Sequence, residues 1–199
     1  ISALETLQFS ATSVIQNIGK CLTLDSKVAG DLVYVLGVTR DELGASEYYE
    51  HFGYTGLNVP KVIPEEFSKL YTALGQAVQD DLMASVHGIY RGGLGVHLAM
   101  VAMGGNLGMA IDLNTVPMAD IERNDTLLFS ESAGRFIVTI DPECKDRFEA
   151  VFPGLPCACI GRVTETADLT VQGLNGESIL SLPVSELKAA WKRPFGDLI

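Results

Sequence analysis

The sequence is short of positive charge, of cysteine and of long apolar runs, and each shortage removes a class of function. Lys and Arg number 14 against 25 Asp and Glu, a formal net charge of −11, and the sequence pI is near 4.6. Such a field repels phosphate backbones and anionic lipid. Neither nucleic acid nor a membrane surface is an expected partner, and any anionic ligand has to be held by local groups. The four cysteines, Cys21, Cys144, Cys157 and Cys159, are too few and too scattered to staple a chain of this size, so reduced thiols are expected. Cys157 and Cys159, in "PCACIGRV", fall on one face of a strand and not at a zinc-knuckle spacing, and read as small apolar core residues. No stretch reaches the roughly 18 apolar residues of a membrane span, and no basic segment with an adjoining apolar run opens the chain. A cytoplasmic setting is expected.

Catalytic signatures are missing as well. There is no P-loop, no G-x-S-x-G elbow, no H-E-x-x-H and no dinucleotide fingerprint between a strand and a helix. A self-contained nucleotide hydrolase is therefore disfavoured. Internal repeats, low-complexity tracts and Pro/Ser linkers are also lacking, so the economical reading is one domain over 1–199. With Ile1 in place of a starting Met, that domain is expected to be a fragment of a longer polypeptide.

What is present is a foldable chain, 47% hydrophobic over 199 residues, enough for one well-buried core. "LQFSATSVIQNIG" alternates and is β-branched, and "GDLVYVLGV" is a short apolar run between glycines; both predict strands of one sheet. "PEEFSKLYTALGQAVQDDL" predicts a helix opened by Pro64, with Phe67, Leu70, Leu74, Ala77 and Val78 as its apolar stripe. "MASVHGIY" predicts a strand, "GGLGVHLAMVAM" a buried helix and "GNLGMAIDL" a further strand. Beyond these, "GRFIVTID", "ACIGRVTE", "ADLTVQGL" and "GESILSLP" read as strands, the last two joined by a tight turn at "LNGES". "PECKDRFEAVF" reads as a helix opened by proline, and "VSELKAAW" as a short one with Ser185 as N-cap. The sum is an α+β fold, a mixed sheet covered by helices on at least one face.

Three stretches could carry chemistry. In "VHGIYRGGL" a helix starting near Gly93 would aim its free N–H groups and positive dipole end outward, Gly92 and Gly93 would admit a phosphate to the backbone, and Arg91 would add charge. Glycine pairs also serve close packing, and the residues leave both readings open. His87, beside that turn, fits a hydrogen-bonding residue better than an acid or base. His97, inside the apolar helix, reads as a satisfied side chain, and His51 has no evident partner. In "LGASEYYEHFG" Ser46 and Glu47 could meet a ligand, although a short helix capped by Ser46 with core tyrosines is the favoured reading. In "LLFSESAGRF" Glu131 and Ser132 lie in a polar turn before a strand, where ligand contacts and ordinary loops both occur.

Taken together and in order, "GDLVYVLGVTRDELGASEYY", "ASVHGIYRGGLGVHLAMV", "FSESAGRFIVTI" and "IGRV…SELKAAWKRPF" resemble the C-terminal domain of the aminoimidazole ribonucleotide synthetase superfamily. Within it the chain is most similar to the last domain of the phosphoribosylformylglycinamidine synthase family. The resemblance implies a covering domain of an ATP-dependent purine-biosynthesis enzyme, which phosphorylates an amide oxygen and replaces it with ammonia from glutamine to give an amidine. ATP and magnesium are the implied cofactors, held mostly by ATP-binding domains preceding this one. The implied partners are those domains, a glutaminase subunit or domain, and a phosphoribosyl substrate. Ser46, Glu47, His87, Arg91, Gly92, Gly93, Glu131 and Ser132 are the residues the resemblance places on the ligand side.

The chain also departs from the family pattern. Where the family reads His-Asp-x-Ser-(Asp or Glu)-Gly-Gly-Leu, here Gly88, Tyr90 and Arg91 follow His87, so two carboxylates are lost and a cation is gained. Without an acid at position 88 a magnesium ligand is missing, and no metal site is expected on this domain. The pattern suits direct contact with phosphate, and equally a degenerate copy facing the auxiliary nucleotide site. The alternatives are a non-catalytic structural or regulatory domain, or another ATP-dependent chemistry of the superfamily such as selenophosphate synthesis, hydrogenase maturation or thiamin monophosphate phosphorylation.

Overall fold

The computed structural model describes residues 8–198. Among these residues nine strands form: β1 (Leu32–Leu36), β2 (Thr39–Arg40), β3 (Ser85–Ile89), β4 (Gly108–Asp112), β5 (Met118–Ala119), β6 (Arg135–Ile140), β7 (Cys157–Thr164), β8 (Asp168–Gln172) and β9 (Ser178–Pro183). Seven build one sheet in the order β3-β6-β1-β7-β4-β8-β9, while β2 and β5 pair separately in parallel. Within the large sheet only β4 and β8 run parallel, so the sheet is mixed.

The unbroken apolar run of β1 follows from its place inside the sheet, because its pleat sends alternate side chains into two different cores. Val33 and Val35 join one core with Ile137, Ile160 and Met109, beneath α3 (Gly93–Gly105), α4 (Asn124–Phe129) and α6 (Val184–Lys192). Tyr34 and Leu36 join the other with Val138 and Ile140, beneath α2 (Pro64–Gln79) and α5 (Lys145–Glu149). Helices thus cover both faces. A slip of one residue between β1 and β6 would exchange the two sets, so the register Tyr34↔Val138 and Val35↔Ile137 is fixed by burial.

The helices differ as their sequences do. In α2 Leu70, Leu74 and Ala77 are buried, Phe67 and Val78 flank the stripe, and the far side is polar. In α3 Leu94, His97, Leu98, Val101 and Ala102 are all buried under α4 and α6, and each large side chain so removed from water contributes about 1.5–3 kcal/mol. Cys157 and Cys159 pack at the margin of the second core, where burial pushes the Cys157 thiol up to about 12.

Three expectations are corrected. The stretch 7–19 is not a strand: Leu7 lies outside the described residues, and Phe9, Val14 and Ile15 are exposed. β-branched composition cannot make a strand without a partner edge, and here only Thr23 meets the edge strand, its carbonyl accepting from the Val86 N–H at 3.2 Å. The helix expected from Pro142 divides into a 3₁₀ turn (Pro142–Cys144), whose Glu143 N–H is taken by Asp141, and then α5. Ser185 does not cap α6, because β9 runs straight into the helix and Pro183 holds the cap position. Among the described residues no helix is long and apolar enough to cross a membrane.

Candidate functional site

Strand β3 ends at Ile89, and residues 90–92 turn the chain into α3. Gly92 and Gly93 both take positive φ, at 92° and 71°, a conformation glycine adopts without steric penalty. A Cβ on Gly93 would also stand 2.7 Å from the Leu128 carbonyl oxygen and from backbone carbon atoms of Phe129. The turn is therefore seated on the end of α4, and the buried Gly92 directs its N–H to the other side. That N–H donates to Glu131 Oε1 at 2.8 Å, and the same oxygen accepts the Glu47 N–H at 2.9 Å. Stretches 44–47, 92–93 and 131–132, distant in sequence, meet at one carboxylate oxygen.

The remaining groups arrange around that point. Arg91 is exposed and ion-paired with Glu47, and Glu50 lies 3.8 Å from the same guanidinium nitrogen. Ser46 is fully buried; its hydroxyl donates to the Leu43 carbonyl and accepts from the Tyr49 N–H, capping α1 (Glu47–His51) as expected. The tyrosines of α1 are half-buried, not core: Tyr48 stacks on Phe129 at 4.7 Å and donates to Asp125. Ser132 is buried too, accepting from the Arg40 N–H at 3.0 Å. Both serines thus hold backbone; Glu47 and Arg91 are exposed, Glu131 is half-buried and Gly92 is buried beneath them.

Beneath these residues lies a group that sequence patterning does not single out. Arg135 is 1% exposed and donates to the carbonyls of Ser132 and Ser130, at 2.9 and 2.6 Å, and to Thr39 Oγ1 at 2.9 Å. Burial lowers its pKa to about 10, against the pull of Glu42 and Glu131, so the guanidinium stays charged at neutral pH. Its position directly after the "SESAG" turn is the only signal the sequence offered.

His87 is paired: its Nε2 lies 2.8 Å from Nδ1 of His97, whose Nε2 accepts the Tyr90 N–H at 2.9 Å. His97 Nε2 also lies 3.2 Å from the Arg91 carbonyl, so the tautomer sets which ring donates the single proton held between His87 Nε2 and His97 Nδ1. Burial lowers both pKa values, with the neighbouring His87 adding to the effect on His97. The unfolded chain therefore binds protons first as pH falls. The pair's contribution to stability is expected to be complete above the ordinary imidazole value of 6.5 and to decline as pH drops below it. Denaturant midpoints of wild type and of the double variant His87→Gln/His97→Gln, compared between pH 8 and 5, check this. The acid decline should flatten in the variant, and an unchanged slope would refute the pairing.

Among the described residues no three His, Cys, Asp or Glu side chains are arranged to hold a metal ion. Gly88 contributes no side-chain ligand, and a Cβ there would run into the Tyr90 phenol.

The sequence profile of the family described as AIR synthase related protein, C-terminal domain, matches residues 28–173. The chain belongs to this family. Curated relatives include the phosphoribosylformylglycinamidine synthase subunit PurL of Thermococcus sibiricus, 31% identical over 185 residues, covering 90% of this chain and 25% of the relative. The same subunit from Thermococcus gammatolerans is 38% identical over 160 residues, covering 80% of this chain and 22% of the relative. The chain thus spans about a quarter of the length of these relatives. Of solved structures, PurL of T. maritima complexed with FGAR superposes with a TM-score of 0.74 at 22% identity, covering 85% of this chain and 30% of that one. The hydrogenase maturation protein HypE of E. coli superposes at 0.59, with 21% identity, covering 82% and 52%. At these identities the solved structures speak for the AIR synthase C-terminal-domain fold alone.

Proposed function

We propose that this AIR synthase C-terminal domain serves as the covering domain of a phosphoribosylformylglycinamidine synthase, an ATP-dependent ligase of purine biosynthesis. In that reading residues 1–199 form one unit of a longer cytoplasmic enzyme. Its other domains bring ATP and most of the catalytic residues, and a glutaminase subunit or domain brings ammonia. The relatives named as PurL subunits support this assignment, and solved neighbours include PurL complexes with ATP and with ADP and a structure of PurLQS from Thermotoga maritima. The observation that carries the site reading is the meeting of the Gly92 and Glu47 N–H groups at one anion-accepting point, with Arg91 beside it. N–H groups at helix starts, held by a rigid backbone, bind phosphate oxygens.

The donor set at the turn does not suit magnesium, since Gly88 offers no carboxylate oxygen and Arg91 places a cation beside it. When bound, ATP supplies the phosphoryl group that activates an amide oxygen. This chain's part is to present backbone N–H groups and Arg91 to a phosphate. His87 serves as a hydrogen-bonding partner beneath the turn, not as an acid.

In the intact enzyme Arg91→Glu is expected to lower kcat/KM by about tenfold or more, the size of one lost charge-assisted contact. Stability should barely move, because the present ion pair is exposed. Unchanged turnover and nucleotide binding in that variant would remove the site reading. One observation favours a second reading, a structural or regulatory domain with a degenerate site: the Gly92 N–H is already taken by Glu131. A substrate screen on the intact enzyme separates amidine formation from the superfamily's other ATP-dependent reactions.

A further inference from the structure

We infer that Glu131 is an internal anion that closes the glycine turn, and that a phosphate enters only by displacing its carboxylate. The inference rests on the reading of this turn as phosphate-facing. One oxygen, Oε1, collects the Gly92 and Glu47 N–H groups. These are the donors that a phosphate oxygen would use, so carboxylate and ligand compete for one position.

The backbone under Glu131 is fixed by buried partners, while its side chain is held through Oε1 by the two turn N–H groups. Ser130 and Ser132, on either side, are fully buried. The Ser130 hydroxyl accepts from the Glu42 N–H at 3.0 Å, the Ser132 hydroxyl accepts from the Arg40 N–H, and Arg135 holds the carbonyls of both serines. The Glu131 N–H reaches the Glu42 carbonyl at 3.3 Å. Glu131 itself is half-buried, between the buried serines and the exposed Glu47 and Arg91. Opening the turn therefore needs a rotation about side-chain bonds, with no movement of strand or helix.

The arrangement also selects among ligands. A singly charged carboxylate in solution gains nothing by replacing the one already tethered here. A phosphate carries more charge and more acceptor oxygens, and Arg91, whose present partners Glu47 and Glu50 are solvent-exposed, is close enough in the chain to turn toward it. The displaced Glu131 stays nearby as a like charge and weakens the complex. The chain on its own is then a poor phosphate binder by construction, and removal of the carboxylate makes it a better one.

The test is a titration of the 199-residue chain with inorganic phosphate and with pyrophosphate, followed by amide chemical shifts in wild type, Glu131→Gln and Glu131→Ala. Both variants should bind at least about tenfold more tightly than wild type, a change of order one charge contact, with shifts at the amides of Gly92 and Glu47. Thermal melting supplies an independent reading: without phosphate the variants melt below wild type, and phosphate narrows the gap. Equal affinity in all three chains with shifts at Gly92 would overturn the internal-anion role while leaving the turn phosphate-facing. Shifts confined to other amides, or no phosphate effect on either variant, would overturn it as well. The phosphate-facing reading itself falls only if Arg91→Glu is also silent in the intact enzyme.

Discussion

Gly93→Ala is expected to destabilise the chain by about 3 kcal/mol or more, from two additive sources. A non-glycine residue at φ 71° costs about 1–3 kcal/mol. The added methyl would also stand 2.7 Å from the Leu128 carbonyl oxygen and from backbone atoms of Phe129, and overpacking of that kind costs about 1–3 kcal/mol more. Backbone atoms cannot turn aside as a side-chain tip can, so relief requires α4 to move off α3. Gly92→Ala makes the contrast. Its φ is also positive, but the new methyl meets only the Val96 side chain, which is partly exposed. About 1–2 kcal/mol is expected there. Urea unfolding of both variants decides the matter. Similar losses at the two positions would mean that conformation alone selects these glycines and that the seat on α4 is unimportant. A larger loss at Gly93 would establish the packing role and would carry over to the site, because α4 leads directly into Ser130 and Glu131.

Gly93 is pressed against α4, while Gly92 aims its N–H at an anion. The sequence made half of this legible. Elements read from burial were recovered: β1 is apolar on both faces because both faces are covered, and α2 carries its stripe at helical spacing. The glycine stretches were placed on one side by the family resemblance, which their residues and order carry. Features fixed by distant partners were not legible. Residues 8–17 have strand-like composition but join no sheet and lie exposed, and Ser185 sits one step inside the helix because Pro183 still belongs to β9. Glu131 stood out as a polar turn residue, yet its partner Gly92 is 39 residues away, and nothing in "FSESAG" states whether the carboxylate faces solvent or the turn. His97 and His87 read separately as structural residues; only the fold puts one imidazole proton between them.

Arg135 is the hardest of these to foresee and carries the second large effect. Buried arginines are rare, and a residue opening a strand is ordinarily placed on the surface. Here its guanidinium replaces water for the carbonyls of Ser130 and Ser132 and the hydroxyl of Thr39. It also supplies the positive charge near Glu42, which is 3% exposed and has one carboxylate oxygen without a hydrogen-bond partner. Arg135→Met keeps the bulk and removes all of this. Each buried acceptor left unpaired costs about 1–3 kcal/mol, and loss of one partner from buried charges costs about 3–5 kcal/mol. These estimates overlap, and a total loss of about 4 kcal/mol or more is expected in urea unfolding. Arg135→Lys keeps the charge without the planar fork and should recover only part of the loss. Hydrogen exchange adds a local readout: because Arg135 fixes the backbone on both sides of Glu131, its removal should loosen the carboxylate and speed exchange at the Gly92 amide more than at the Val138 amide in the sheet. A Met variant within about 1 kcal/mol of wild type, with Gly92 still protected, would mean that the serine hydroxyls alone hold the turn. The expected pattern would instead make a buried cation the support on which the anion at the glycine turn is positioned.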